Sequence, residues 1–268
     1  MKNYILHKIN IVFILFQLKL VLDNEDKSNN LLVRKLEEQI SNKIYLIFSE
    51  TGNKLLFRNV DSLYEYCNVF LVDESNTTTN VTDQLIYNPL DNTIFYIIEN
   101  IDVQYMLDFK KNPVSLSELF SGSSAIWISF DKNFNSQNIN NLSRTFQRCN
   151  KLTSVDLSHF NTENVDDMYE TFSECSSLLE LNLSSFKTNK LRDMHGMLSG
   201  CFSLQFIDLS MFNTSLVTDM QNLFYQCISL TSINLNSFDT RSVGSFDFMF
   251  YSCINLALID ISSFEASS

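Results

Sequence analysis

Five cysteines, Cys149, Cys175, Cys201, Cys227 and Cys253, fall 26 residues apart without a slip. Phe160, Phe186, Phe212, Phe238 and Phe264 keep the same interval, as do Leu152, Leu178, Leu204, Leu230 and Leu256. A fixed period of this length is the signature of an array of like units, and it constrains the fold more than any other feature of the chain. One unit of 26 residues buries too few apolar side chains to offset the entropy of ordering it. The units must therefore stack, each completing the core of the next.

Two patterns alternate inside a unit. Val165, Met168, Phe172 and Cys175 sit at helical spacing, with Asp166, Asp167, Glu170 and Glu174 between them, which predicts a short amphipathic helix with an acidic outer face. Asp167, Asp193 and Asp219 recur where a helix N-cap would stand. In the other part apolar residues alternate, as in Val155-Asp156-Leu157, which predicts a short strand. Strands in one parallel sheet and helices on the opposite wall make a solenoid.

The pattern C-x-x-L-x-x-[VLI]-[DN]-L-S-x-F-x-T-x-x-V-x-x-M-x-x-x-F resembles the BspA-like leucine-rich repeat of bacterial and protist surface proteins, over about 139–268. The resemblance implies an α/β solenoid of leucine-rich-repeat type and an exported protein of the cell surface or extracellular space, engaged in adhesion. Departures are the family's glycine before the cysteine, kept only as Gly200, and Phe246 at the methionine position.

The organisation expected is a signal peptide or anchor at 1–22, a mixed cap-like region at 23–112 and the repeat array at 113–268. Lys2 and Lys8 precede an apolar stretch from Ile11 to Leu22 that is too short and too interrupted to span a bilayer but suits a secretory h-region. LLVRKLEEQISN predicts a helix, KIYLIFSETGNKLLF a hairpin with a Thr-Gly-Asn turn, and VFLVD and TIFYIIENI further strands. SLSELFSGSSAIWISFDKNF, at 115–134, reads as a degenerate first coil that caps the array.

The formal net charge of −12, rising in magnitude to −15 if residues 1–22 with Lys2, Lys8 and Lys19 are removed, argues against a nucleic-acid partner. Membrane contact is expected only through an N-terminal anchor. There is no P-loop, G-x-S-x-G, G-x-G-x-x-G or H-E-x-x-H motif, and five dispersed glycines cannot cradle a phosphate. The expectation is a non-enzymatic binding protein without cofactor or metal. Each coil offers one cysteine and no nearby histidine, so the cysteines read as a buried structural column rather than zinc ligands or disulfides.

The outward strand positions are the candidate binding surface. Asp156, Asn182, Asp208, Asn234 and Asp260 form one column, either a self-satisfied polar ladder or a ligand surface. Beside it run Ser154, Glu180, Phe206, Ser232 and Leu258, in which Phe206 and Leu258 are apolar on a face that stability alone would leave polar. The expected partner is a protein or glycan on this face, with an intracellular interaction scaffold as the alternative. Glycosylation sequons stand at Asn76, Asn80, Asn141, Asn182 and Asn213, a number that 30 asparagines produce by chance, with Asn182 set apart on a tight strand.

Overall fold

The computed structural model describes residues 43–265, apart from 50–51, 59–66, 74–75, 89–92, 99–103, 110–111, 258 and 263. The expected leader at 1–22 and the helix over 31–42 lie outside the described residues.

Upstream of the repeats the chain forms antiparallel sheets. The strands are β1 (Lys43–Phe48), β2 (Gly52–Arg58), β3 (Cys67–Val72), β4 (Thr78–Asn80), β5 (Ile86–Asn88), β6 (Thr93–Ile98) and β7 (Gln104–Phe109). With β8 (Ala125–Phe130) and β9 (Ser154–Asp156), four of these make a mixed six-stranded sheet in the order β4-β3-β7-β1-β8-β9. All its pairs are antiparallel except β8 with β9. A second sheet, β2-β6-β5, packs on it through Phe57 against Phe109 and Tyr96 against Tyr105, with ring centroids 5.7 Å apart in both pairs.

The expected hairpin of β1 with β2 does not form. Ile44, Leu46 and Phe48 on alternate positions of β1 are fully buried, which makes it a central strand. Its flanks are taken by β7 and β8, from some 60 and 80 residues away, while β2 pairs with β6. Burial of the alternating face outweighed the local turn signal.

From Ser115 the 26-residue units stack as coils, beginning at Ser115, Asn141, Asp167, Asp193, Asp219 and Ser245, which bridge one another in parallel. Short parallel strands mark one wall: β9 on β8, and β10 (Phe206–Asp208) on β11 (Ser232–Asn234). Aromatic columns run through the core, with Phe146 stacked on Phe172 at 5.2 Å and Phe186 on Phe212 at 6.5 Å. Phe130 joins the upstream sheet to the array by packing on Phe160 at 5.1 Å.

The expected α/β solenoid with helices on its second wall is not what the chain forms. Among the described residues there is no α-helix, and the one helical element is a 3-10 turn over Thr82–Gln84. The amides of the third coil show where the helix went. Met168, Glu170, Phe172 and Glu174 donate to the carbonyls of Asp193, His195, Met197 and Ser199 in the next coil. Thr171, Ser173 and Cys175 donate three residues back, to Met168, Glu170 and Phe172. Tyr169 donates to its own coil's Asp167 carboxylate. None of these amides makes the i to i−4 bond of an α-helix, and none is left over.

This wall is a run of overlapping tight turns, half of whose amides bind across coils. Such turns need left-handed residues at regular intervals, and Arg144, Arg148, Glu170, Glu174, Asn222 and Gln226 all have φ between 49° and 60°. Gly122, Gly196 and Gly200 occupy the same two columns at φ 57–77°. The side chains at Val165, Met168, Phe172 and Cys175 are buried as a helix would bury them, because tight turns also return a side chain inward every third or fourth residue.

Candidate functional site

The outward strand column is exposed but committed. Asp156 is half-buried, and Asn182, Asp208, Asn234 and Asp260 are exposed. In each the Oδ1 oxygen accepts the amide two residues on: Ser158, Ser184, Ser210, Asn236 and Ser262, at 2.9–3.1 Å. The amide and hydroxyl of Ser210 hold the Asp208 carboxyl below the usual carboxylate range. The hydroxyl and amide of Ser262 do the same for Asp260. These residues close the turn that follows each strand, which is the self-satisfied reading of the column.

Phe206 is different. It lies on β10 with 56% of its surface exposed, between Glu180 and Ser232, which are exposed too. Leu258 lies outside the described residues. A ring held open on the strand wall has no part in turn closure, so Phe206 is an exposed apolar side chain of this face that the turns do not use.

A second surface, on the turn wall, was not foreseen. Arg144 Nε lies 2.9 Å from Glu170 Oε2, Gln147 donates to the same oxygen at 2.7 Å, and Glu118 stands 3.7 Å from Arg144. The Arg144 guanidinium covers Tyr169 at 4.8 Å, and Tyr169 stacks on His195 at 5.1 Å. His195 Nδ1 is 3.4 Å from Asp219 Oδ2. Beneath them Asn141, Asp167, Asp193 and Asp219 form a ladder in which Asn141 Nδ2 donates to Asp167 Oδ2 at 3.0 Å. Burial raises the Asp193 carboxyl. The His195 amide opposes this, and Asp167 and Asp219, one coil to either side, add to it. The sequence did carry a signal for this row, since Arg144 and Glu170, and Tyr169 and His195, are one 26-residue period apart.

The same wall becomes apolar in the later coils. Phe202, Ile228 and Ile254 form one exposed column, and Phe248 packs edge-on against Tyr251, which stacks on Tyr225 at 5.2 Å. The acidic character expected for the whole wall thins out towards these coils, where Asp219 and Asp247 remain.

The cysteines form the column expected of them, buried at Cys149, Cys175, Cys201 and Cys227 and half-buried at Cys253. Cys149, Cys175, Cys201, Cys227 and Cys253 each donate Sγ–H to a carbonyl of the preceding coil, from Phe120, Phe146, Phe172, Leu198 and Phe224, at 3.0–3.3 Å. All six cysteines are free thiols, and burial pushes Cys149 and Cys201 up to about 12.

Among the sequons, Asn76 and Asn80 are exposed, and the Asn80 side-chain oxygen accepts both the amide and the hydroxyl of Thr82, at 2.9 and 2.6 Å. Asn213 is exposed with its amide on Asn189 at 3.1 Å. Asn141 is half-buried and tied into the Asp167 ladder, which makes it the least accessible of the four acceptor candidates.

A family model described as "Mycoplasma protein of unknown function, DUF285" matches residues 114–207 and again 193–268. No curated protein and no solved structure matches the chain. The match replaces the resemblance to BspA-like leucine-rich repeats. The wall expected to be helical is a turn ladder here, and the leucine-rich-repeat description is withdrawn with it.

Proposed function

The chain belongs to the DUF285 family, and we propose that it is a non-enzymatic repeat protein of the cell surface or extracellular space, recognising a protein or glycan partner. The observation that carries this reading is the open Phe206 ring beside an Asp/Asn column that is spent on turns. Stacked coils offer an extended surface on which outward residues vary without disturbing the core, and Ser154, Glu180, Phe206 and Ser232 differ in this way. Adhesion is the activity such a surface serves.

Binding of the labelled protein to intact cells and to an immobilised glycan panel tests the reading. Phe206→Ser is expected to abolish binding with the melting temperature kept, whereas Glu174→Ser on the turn wall is expected to leave binding intact. Retention in Phe206→Ser with loss in Glu174→Ser would move the partner to the turn wall. Export is tested separately: a chain labelled only after cells are permeabilised would sink the surface reading.

The six free thiols favour a second reading, an intracellular interaction scaffold in a reducing compartment. The same labelling experiment separates the two.

A further inference from the structure

We propose that His195 makes the junction between the fourth and fifth coils a proton-operated clasp, closing on Asp219 when the ring is protonated. The ring sits at the boundary, with Nδ1 3.4 Å from Asp219 Oδ2 and Nε2 3.5 Å from Asn222 Nδ2. Neutral His195 satisfies both neighbours weakly, with Nδ1–H towards the carboxylate and Nε2 accepting from the Asn222 amide. Protonation turns the first contact into a charge-assisted bond between coils, and Asn222 then presents its oxygen to Nε2–H.

Charged and titratable groups face the ring from three coils. On its own coil the ring has Asp193, whose Oδ1 already accepts the His195 amide at 2.8 Å. Across the boundary ahead is Asp219, whose Oδ1 accepts Gln221 N–H at 2.8 Å and whose Oδ2 faces both the ring and the Gln221 side-chain amide, each at 3.4 Å. Behind it are Tyr169, stacked on the imidazole, and Glu170. Arg144, the cation of this row, is committed to Glu170 and Glu118. A protonated ring against the Tyr169 face gains a cation–π contact as well. The raised Asp193 carboxyl acts with the same sign: a carboxyl whose folded pKa exceeds its unfolded value takes up its proton more readily in the fold, so stability increases as pH falls.

This inference stands apart from the binding reading, and melting curves between pH 7.5 and 5.5 test it. Falling pH also relieves the general repulsion of an acidic chain, so the readout is the difference between variants. The wild type is expected to gain roughly 1–3 °C more than His195→Asn or Asp219→Asn over this range, with the double variant matching the singles. Parallel pH profiles in all four proteins would overturn the clasp. Should a variant fail to fold, His195→Gln takes its place in the same comparison, and a profile parallel to that of the wild type refutes the pairing.

Discussion

The amide of Glu170 donates to the carbonyl of His195, 25 residues further on, at 2.8 Å. In an α-helix the same amide would serve Asp166. This one bond, repeated at alternate residues in the first five coils, is why side chains with helical spacing build no helix there. It also means that the wall exists only as a stack, since a lone coil would leave half its amides unpaired.

Glycines report on the turn geometry. Gly200 has φ 72°, and a Cβ there would lie 3.3 Å from the Glu174 backbone of the preceding coil. Gly244 is outside the left-handed region, and a Cβ there would meet only the Thr218 carbonyl at 3.6 Å. Gly200→Ala is expected to cost about 1–2 kcal/mol in urea unfolding, and Gly244→Ala close to nothing. Equal effects would contradict the turn assignment.

The frame of the array was legible in the sequence because it is periodic: the columns headed by Cys149, Leu152 and Phe160 are core columns, and VFLV and TIFYII, from the stretches expected as strands, lie in β3 and β6. The turn wall was not legible. An aspartate that caps a helix and one that closes a turn, such as Asp167 with Tyr169, look alike, and both structures bury every third or fourth residue. Gly196 and Gly200, four apart within the supposed helix, were the available warning. The partners of β1 lie too far along the chain for local pattern to reveal. At the candidate site, alternation placed Phe206 outward correctly. It could not show that Asp208 is spent on Ser210, since Asp-Leu-Ser fits a turn and a ladder equally.

Phe186 is buried and stacked on Phe212 between coils held by backbone bonds on both sides. The cavity left by Phe186→Ala cannot collapse without breaking those bonds. A loss of about 3–5 kcal/mol is expected by chemical denaturation, and a loss below about 1 kcal/mol would show that the coils slide to fill the space.

The thiols are packing groups that also donate a bond. Ser123, buried in the first coil, already holds the equivalent position with a hydroxyl. Cys201→Ser is therefore expected to keep the bond to Phe172 and to cost about 1 kcal/mol or less. Reductant is expected to leave the melting temperature unchanged, and a thiol reagent to modify the half-buried Cys253 first. A sharp fall on reduction would reveal a disulfide.

Hydrogen-bond scalar couplings in the isotopically labelled full chain test the turn ladder most directly. The account predicts a coupling from the Glu170 amide nitrogen to the carbonyl carbon of His195, and from Met168 to Asp193. Couplings from Glu170 to Asp166, and from Phe172 to Met168, would mean that the wall is helical and would contradict the architecture described.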